Sequence, residues 1–380
     1  MPNLIRRLPW RGLGLSFLST VIALAVGEVI VRAGGLDPAP REASFSAKVH
    51  RVATGRLGET MGIELRPGAS NRVTYPPDRG REEREVRYRI NSLGFRDREL
   101  TAAKVPGEYR ILCLGDSFTF GTGVPLEDAW PRLLEGVLTE RRAAFTTANL
   151  GIYSLNVLQQ EAWLRRVLAE RQVEADHVLW CLYINDASGP GFTAEEQVLS
   201  PEAHWIQRLG LTSGVWERGT EATPAMKRTM AVRRVSALAD FLAYRLYGAL
   251  HSAATMRGYL DNWSESGEDL QKVRASLERV AALCRNRGLR LSVCMYPSLI
   301  GSFDENHPYA AAHEALADMA AELELEYFDL RAPLAGLRPD GLWAHLHDQH
   351  PNRAANERVA RYLADQLFPK LALEASAQGE

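Results

Sequence analysis

The stretch ILCLGDSFTFGTG, Ile111 to Gly123, opens as an unbroken apolar run and breaks at Gly115-Asp116-Ser117. A short continuous apolar run closed by a turn is the pattern of a strand buried on both faces. The glycine-punctuated segment behind it predicts a sharp turn that presents Ser117 at the strand's carboxyl end. Two readings of that serine stand at this point. One is ordinary loop chemistry; the other is a nucleophile held at the mouth of a sheet.

Outward from this strand the pattern repeats. AWPRLLEGVLTERR has helical spacing, AFTTANLG reads as a strand ending at Asn149 and Gly151, and LNVLQQEAWLRRVLAER is an amphipathic helix. ADHVLWCLYIND is a strand ending in Asn185-Asp186. Further on come helix EDLQKVRASLERVAALCRNRG, strand LRLSVCMYP, helix PYAAAHEALADMAAELELE, strand YFDL and a last helix NRAANERVARYLADQLF. Strands alternating with helices predict βαβ units and a parallel sheet covered on both faces. Residues 187–264 interrupt this rhythm with a segment too long for a plain connection. It leaves the sheet at a strand's carboxyl end, so it is expected to form a cap or lid, or else a peripheral helical excursion.

Before the first strand, residues 33–85 are rich in Pro, Gly and Arg and read as linker and irregular chain, and VRYRINSLGFRD (Val86–Asp97) as an edge strand entering a turn at Gly94. The amino terminus has a different character. Arg6, Arg7 and Arg11 precede an apolar segment that runs from Leu13 to Val31 with Glu28 as its one charge. Its length approaches the ~20 residues of a membrane span. Basic residues before it predict a cytoplasmic amino terminus and a body on the extracytoplasmic side. Residues 1–32 are therefore expected to be a membrane anchor, with a cleaved signal peptide (Ala23-Leu24-Ala25) as the competing reading.

The bulk numbers exclude little but exclude it cleanly. With 45 basic and 47 acidic residues in 380, the net charge is −2, which gives no electrostatic footprint for nucleic acid. Cys113, Cys181, Cys284 and Cys294 have no metal-ligand spacing and read as small buried hydrophobes. His50, His177, His204, His251, His307 and His313 read as surface or capping residues, and no metal or cofactor is expected.

In a parallel sheet all strand carboxyl ends share one edge, which collects Ser117, the Asn149-Leu150-Gly151 turn and Asn185-Asp186. A serine nucleophile needs a base, and its oxyanion needs fixed donors. HLHDQHPNRAANERVARYL supplies Asp348 and His350 just before the last helix, in a loop after the final strand and so on the same edge. His350 would take the Ser117 proton and Asp348 would orient the ring. The bland alternative is helix capping by Asn352. Thr119 stands where a G-x-S-x-G elbow needs its second glycine, which argues against an α/β-hydrolase.

These blocks resemble the SGNH (GDSL-type) hydrolase family: GDSFTFGTGV around Ser117, NLGIYSLN around Gly151, YIND around Asn185 and DQHPN around His350. INSLGFRD before the first block resembles the membrane-anchored members. The resemblance, over roughly residues 86–370, implies a flavodoxin-like three-layer α/β/α sandwich within a domain of residues 86–375. It implies a serine esterase with Ser117, Asp348 and His350 as catalytic residues. It also implies an oxyanion hole made of the Ser117 and Gly151 amides and the Asn185 side chain. Two positions depart from the family pattern. Tyr183 stands where glycine is usual, and Asp348 is two rather than three residues before His350, with His347 at the usual acid position. Either Asp348 serves as the acid, or Ser117 and His350 act as a dyad oriented by a backbone carbonyl. His345 and His347 are candidates for shaping the site.

Three functions remain open on the sequence. The first is an extracytoplasmic esterase cleaving an O-acyl group from a glycan or lipid. The second is an O-acetyltransferase passing the acyl group to an exported polysaccharide. The third is a non-catalytic glycan-binding protein on the same fold.

Overall fold

The computed structural model describes residues 10–34, 50–52, 63–75, 82–141, 144–153, 155–187, 232, 235–239, 241–242, 259–264, 267–345 and 348–377. The chain divides into two compact units, one of residues 1–43 with 199–256, the other of residues 44–198 with 257–380.

In the smaller unit, helix α1 (Trp10–Ala33) runs for 24 residues, about 36 Å at the usual rise and enough for a hydrocarbon core of about 30 Å. Phe17, Val21, Leu24, Val29 and Ile30 are exposed along it. Glu28 is not left alone: its carboxylate accepts from Ser236 Oγ at 2.8 Å and from the amides of Ala237 and Leu238 at 2.9 and 3.0 Å. Arg32 closes the cluster with an ion pair to Glu28 at 2.6 Å.

The larger unit is built on a parallel five-stranded sheet. Its strands are β5 (Tyr109–Gly115), β6 (Phe145–Asn149), β7 (His177–Leu182), β8 (Arg290–Met295) and β9 (Glu326–Asp329), in the spatial order β6-β5-β7-β8-β9. Counted within the sheet this is order 2-1-3-4-5, the flavodoxin-like arrangement. Every residue of β5 and β7 is buried, which is why their sequences are continuous apolar runs. Strand alternation divides β5 between two layers. Ile111 and Cys113 join a cluster with Trp130, Leu134 and Leu138 of helix Trp130–Arg141 and Val359, Leu363 and Leu367 of helix Arg353–Ala377. Leu112 and Leu114 are buried toward the opposite layer, where helices Val157–Ala169 and Glu268–Asn286 pack on one another. Asn156 and Gln159 form a capping box at the start of the first of these. All four cysteines are free and buried.

Three sequence expectations need correction. Residues 33–85 are not wholly irregular, for β1 (His50–Val52), β2 (Ile63–Leu65) and β3 (Ser70–Tyr75) lie inside them; β1 pairs antiparallel with β2, and β3 with β4 (Arg84–Arg89). The pattern is weak because this ribbon is buried on one side only, so Val86 and Tyr88 are covered while Arg87 and Arg89 face out. Asp348 and His350 lie in a short strand rather than a loop: β10 (Trp343–His345) and β11 (Asp348–Pro351) form an antiparallel ribbon. His177, His307 and His313 are buried, not on the surface. Each has a partner: His177 Nε2 with Ser292 Oγ, His307 Nε2 with the Ser298 carbonyl, and His313 Nδ1 with Asp329, all at 2.9 Å. Most of the expected cap, with His204 and His251, lies outside the described residues, as does His347. Of its ends, residues 259–264 belong to the larger unit, where Trp263 donates to the Ile184 carbonyl at 2.8 Å.

Candidate active site

Strand β5 delivers the nucleophile candidate through a tight turn. Gly115 admits it, for a Cβ there would stand 2.2 Å from Thr119 Oγ1 and 2.6 Å from the Cys181 carbonyl. Asp116 caps the single helical turn Ser117–Phe120 by accepting from the Phe118 amide at 2.9 Å. The turn ends at Gly121 in the left-handed region, φ 85°, with its amide bonded back to the Ser117 carbonyl. Ser117 Oγ has one proton and two acceptors in reach, His350 Nε2 at 2.9 Å and Asp116 Oδ2 at 3.2 Å.

Strand β11 supplies the other two groups, and its geometry explains the D-Q-H spacing. Side chains two apart on a strand share a face, so Asp348 and His350 stand together. Asp348 Oδ1 takes the His350 backbone N–H at 3.1 Å and lies 2.6 Å from its Nδ1. The imidazole is thereby held with Nε2 toward Ser117. Phe118 and Tyr153 flank the ring, with centroids at 5.2 and 6.4 Å.

The electrostatics follow from burial and charge. Burial would raise the Asp348 carboxyl, but the His350 charge and the hydrogen bonds from His350 and Tyr75 overcome it and hold it at about 2. For His350, burial pulls down, but the Asp348 charge and hydrogen bond together with the Asp116 charge outweigh it, and the net direction is up from 6.5. Asp116 is raised by burial, and Asp186 is raised far above the carboxylate range by burial and the nearby Asp116 charge.

Gly151 lies against the nucleophile turn, where a Cβ would come within 2.1 Å of the Phe120 nitrogen. Its N–H donates to Asn149 Oδ1 at 2.9 Å, so it can enter an oxyanion hole only as a shared donor. Asn185 sits on the turn Ile184–Ala187 after β7, and its Oδ1 is buried without a hydrogen-bond partner among the described residues. At the position where the family pattern has glycine, Tyr183 stacks on Phe118 with centroids 3.9 Å apart, and its amide donates to Asp186 Oδ2 at 2.9 Å. The turn carrying Asn185 is thus held by a side chain, without glycine.

Several residues at this site were beyond sequence reasoning. Arg96 is fully buried and donates to the carbonyls of Phe120 (2.7 Å), Gly121 and Val124 (2.5 Å), strapping the chain that leaves the nucleophile turn. Asp97 accepts from the Asn149 amide at 2.9 Å, while Asn149 Nδ2 donates to the Thr119 carbonyl at 2.9 Å. Burial raises Asp97 to about 6. Both charged residues come from INSLGFRD, where an Arg-Asp pair directly after Phe95 was the available signal. Tyr75, from the segment expected to be irregular, donates to Asp348 Oδ2 at 2.9 Å. His345 is buried beside Tyr75, ring centroids 5.6 Å apart, rather than toward Ser117.

The model of the GDSL-like Lipase/Acylhydrolase family matches residues 113–358. No curated protein matches the chain. Among solved structures, the acetylxylan esterase Axe2 from Geobacillus stearothermophilus is 16% identical at TM-score 0.41, with 70% of this chain and 96% of that one covered. The psychrotrophic esterase EstA from Pseudoalteromonas sp. is 12% identical at TM-score 0.39, covering 70% and 100%. A carbohydrate acetylesterase family member from Sinorhizobium meliloti is 15% identical at TM-score 0.37, covering 70% and 99%. Likenesses this distant identify no substrate.

Proposed function

The chain belongs to the GDSL-like lipase/acylhydrolase family of serine ester hydrolases, and from that premise we propose that Ser117, His350 and Asp348 form its catalytic triad and cleave an O-acyl ester. The observation that carries this is the unbroken line from Asp348 Oδ1 through His350 to Ser117 Oγ, with steps of 2.6 and 2.9 Å. Ser117 Oγ attacks the ester carbonyl as His350 Nε2 takes its proton. The Asp348 carboxylate stabilises the imidazolium so formed. Oxyanion charge falls to the Ser117 amide, the Asn185 side-chain amide and the shared Gly151 N–H. His350 then hands the proton to the departing alcohol, and water activated by the same imidazole releases the acid from Ser117.

The test is chemical. A fluorophosphonate probe is expected to add to Ser117, located by peptide mass mapping, and to be blocked by p-nitrophenyl acetate turnover. A parent protein that neither labels nor turns over the ester would sink the triad and leave a binding role on this fold. Product analysis with and without a glycan acceptor separates hydrolysis from O-acetyl transfer.

The site also sets a pH dependence. His350 must be neutral at Nε2 to accept the proton, and the Asp348 charge raises it above 6.5. Activity is therefore expected to fall with decreasing pH through a midpoint above 6.5, histidine's ordinary value. Asp348→Asn removes the larger upward pull and leaves burial opposed only by the weaker pull of Asp116, so the acidic limb should move to lower pH as kcat drops. A limb that stays in place in a log kcat/KM against pH plot argues against this pairing.

For location, the proposal is that α1 anchors the chain with its arginine-rich end in the cytoplasm and the hydrolase unit outside, acting on an acylated glycan or lipid. Support comes from an apolar helix long enough to cross a membrane and from the arginines that precede it. The donors on Glu28 reduce the penalty of a carboxylate near the end of such a span. Alkaline carbonate extraction should leave the full chain in the membrane pellet; release into the supernatant would count against the anchor.

A further inference from the structure

The acid of the site lies only two residues from its histidine, and this short spacing raises a physical problem. An aspartate's terminal torsion is broad and roughly two-fold, so covalent geometry does little to fix the carboxylate plane. Both contacts of Asp348 with His350 use the same oxygen, Oδ1. Nothing in β11 itself holds Oδ2.

Tyr75 holds it. Its hydroxyl donates to Asp348 Oδ2 at 2.9 Å from a strand 273 residues away in sequence. The tyrosine is itself fixed through its ring. The Arg84 guanidinium lies over its ring at 4.6 Å and Arg84 also donates to the Ala344 carbonyl of β10, tying β4 to the ribbon that carries the acid. Tyr88 of β4 receives the Gly123 amide on its hydroxyl at 2.8 Å. Gly123 belongs to the chain leaving the nucleophile turn. The β3–β4 ribbon therefore touches both ends of the triad.

We propose that Tyr75 is a positioning residue for catalysis, which fixes the Asp348 carboxylate by its second oxygen so that the first remains aimed at His350 Nδ1. It extends the three-residue line to a fourth member contributed by the chain before the nucleophile strand. The proposal rests on the triad reading given above. Tyr75 touches no reacting atom and acts only through Asp348.

The test uses the full chain in detergent and the single variant Tyr75→Phe, which keeps the ring and removes the donor. Expected is a fall in kcat for p-nitrophenyl acetate of about tenfold, the scale of one lost hydrogen bond to a charged group, with KM unchanged. Rates are normalised to the fraction of protein that fluorophosphonate labels to completion, so partial misfolding does not enter. In an Asp348→Asn background the same change should have no further effect on kcat. A second readout needs no turnover: the far-downfield proton resonance of His350 Nδ1–H, arising from its short bond to Asp348, should shift or broaden in Tyr75→Phe. Parent-like kcat together with an unmoved resonance would overturn the proposal and leave Tyr75 as packing. If the parent were itself inactive, the triad reading would fail separately, and the resonance alone would decide whether Tyr75 governs the Asp348–His350 bond.

Discussion

Ser117→Ala is expected to lower p-nitrophenyl acetate turnover by about 10⁴-fold or more while leaving the fold intact, and His350→Ala to do the same. On a transition-state scale 10⁴ corresponds to about 5.5 kcal/mol, more than any single positioning contact supplies. The neighbouring carboxylate, Asp116 at 3.2 Å from Ser117 Oγ, is a poor substitute, for it is fully buried and its Oδ1 is already engaged by the Phe118 amide. The same cap preserves the turn when the hydroxyl is removed, so the alanine variant should melt close to the parent. Combining the two substitutions should cost little beyond either one, because Ser117 and His350 act as one unit across their 2.9 Å bond. Additive losses in the double variant, or residual activity in Ser117→Ala, would show that another group carries the reaction.

The second large effect concerns stability. Arg96→Leu is expected to destabilise the hydrolase unit by about 3–5 kcal/mol, the upper range for single substitutions. The guanidinium is wholly buried, 4.4 Å from the Tyr88 ring centroid and 5.0 Å from that of Phe120. Its removal leaves the carbonyls of Phe120, Gly121 and Val124 without this donor, at about 1–3 kcal/mol each before relaxation. Burial itself pulls the Arg96 pKa down, so the site tolerates the charge only because these carbonyls and ring faces surround it. Arg96→Lys should fall between the two, since one ammonium cannot span the same fork of acceptors. Urea titration of purified variants checks the size of the effect. Slower fluorophosphonate labelling of folded Arg96→Leu would show that the strap also sets the position of Ser117. A loss under about 1 kcal/mol would mean that water replaces the guanidinium at little penalty.

What the sequence could reveal here depended on whether the signal was local. The parallel sheet was legible because β5 and β7 are buried along their whole length and so cannot afford a polar face. Ser117 was legible because it sits at the sheet's carboxyl edge in a polar break after an apolar run, and Asp348 and His350 because they stand together just before the last helix; the structure brings the three into line. The D-Q-H spacing looked anomalous only while Asp348 and His350 were placed in a loop; on β11 two residues are what put both on one face. Tyr75 was invisible for the opposite reason. Its contact spans 273 positions, and β3 is a half-exposed ribbon strand with no long apolar run to announce it. His177 and His313 look like surface residues in sequence, but their solvation is replaced by Ser292 and Asp329, which lie 115 and 16 residues away respectively. The bond that engages the Gly151 amide depends on a side chain, Asn149, whose orientation no spacing rule gives.

Gly115 and Gly151 differ in kind from the residues around them. At each, a single added carbon would collide with neighbouring atoms at 2.2 and 2.1 Å, and at Gly151 the obstruction is backbone that no side-chain rotation can clear. That constraint comes from assembling the turn against the sheet and would persist if the serine, the histidine and the aspartate were all replaced. A descendant of this protein that had abandoned ester chemistry for binding would therefore keep both glycines and still score well against a family signature. Pseudoenzymes on this scaffold should be sought by the loss of Ser117 or His350 equivalents against an intact glycine background, since the glycines record inheritance of the architecture and not retention of the reaction.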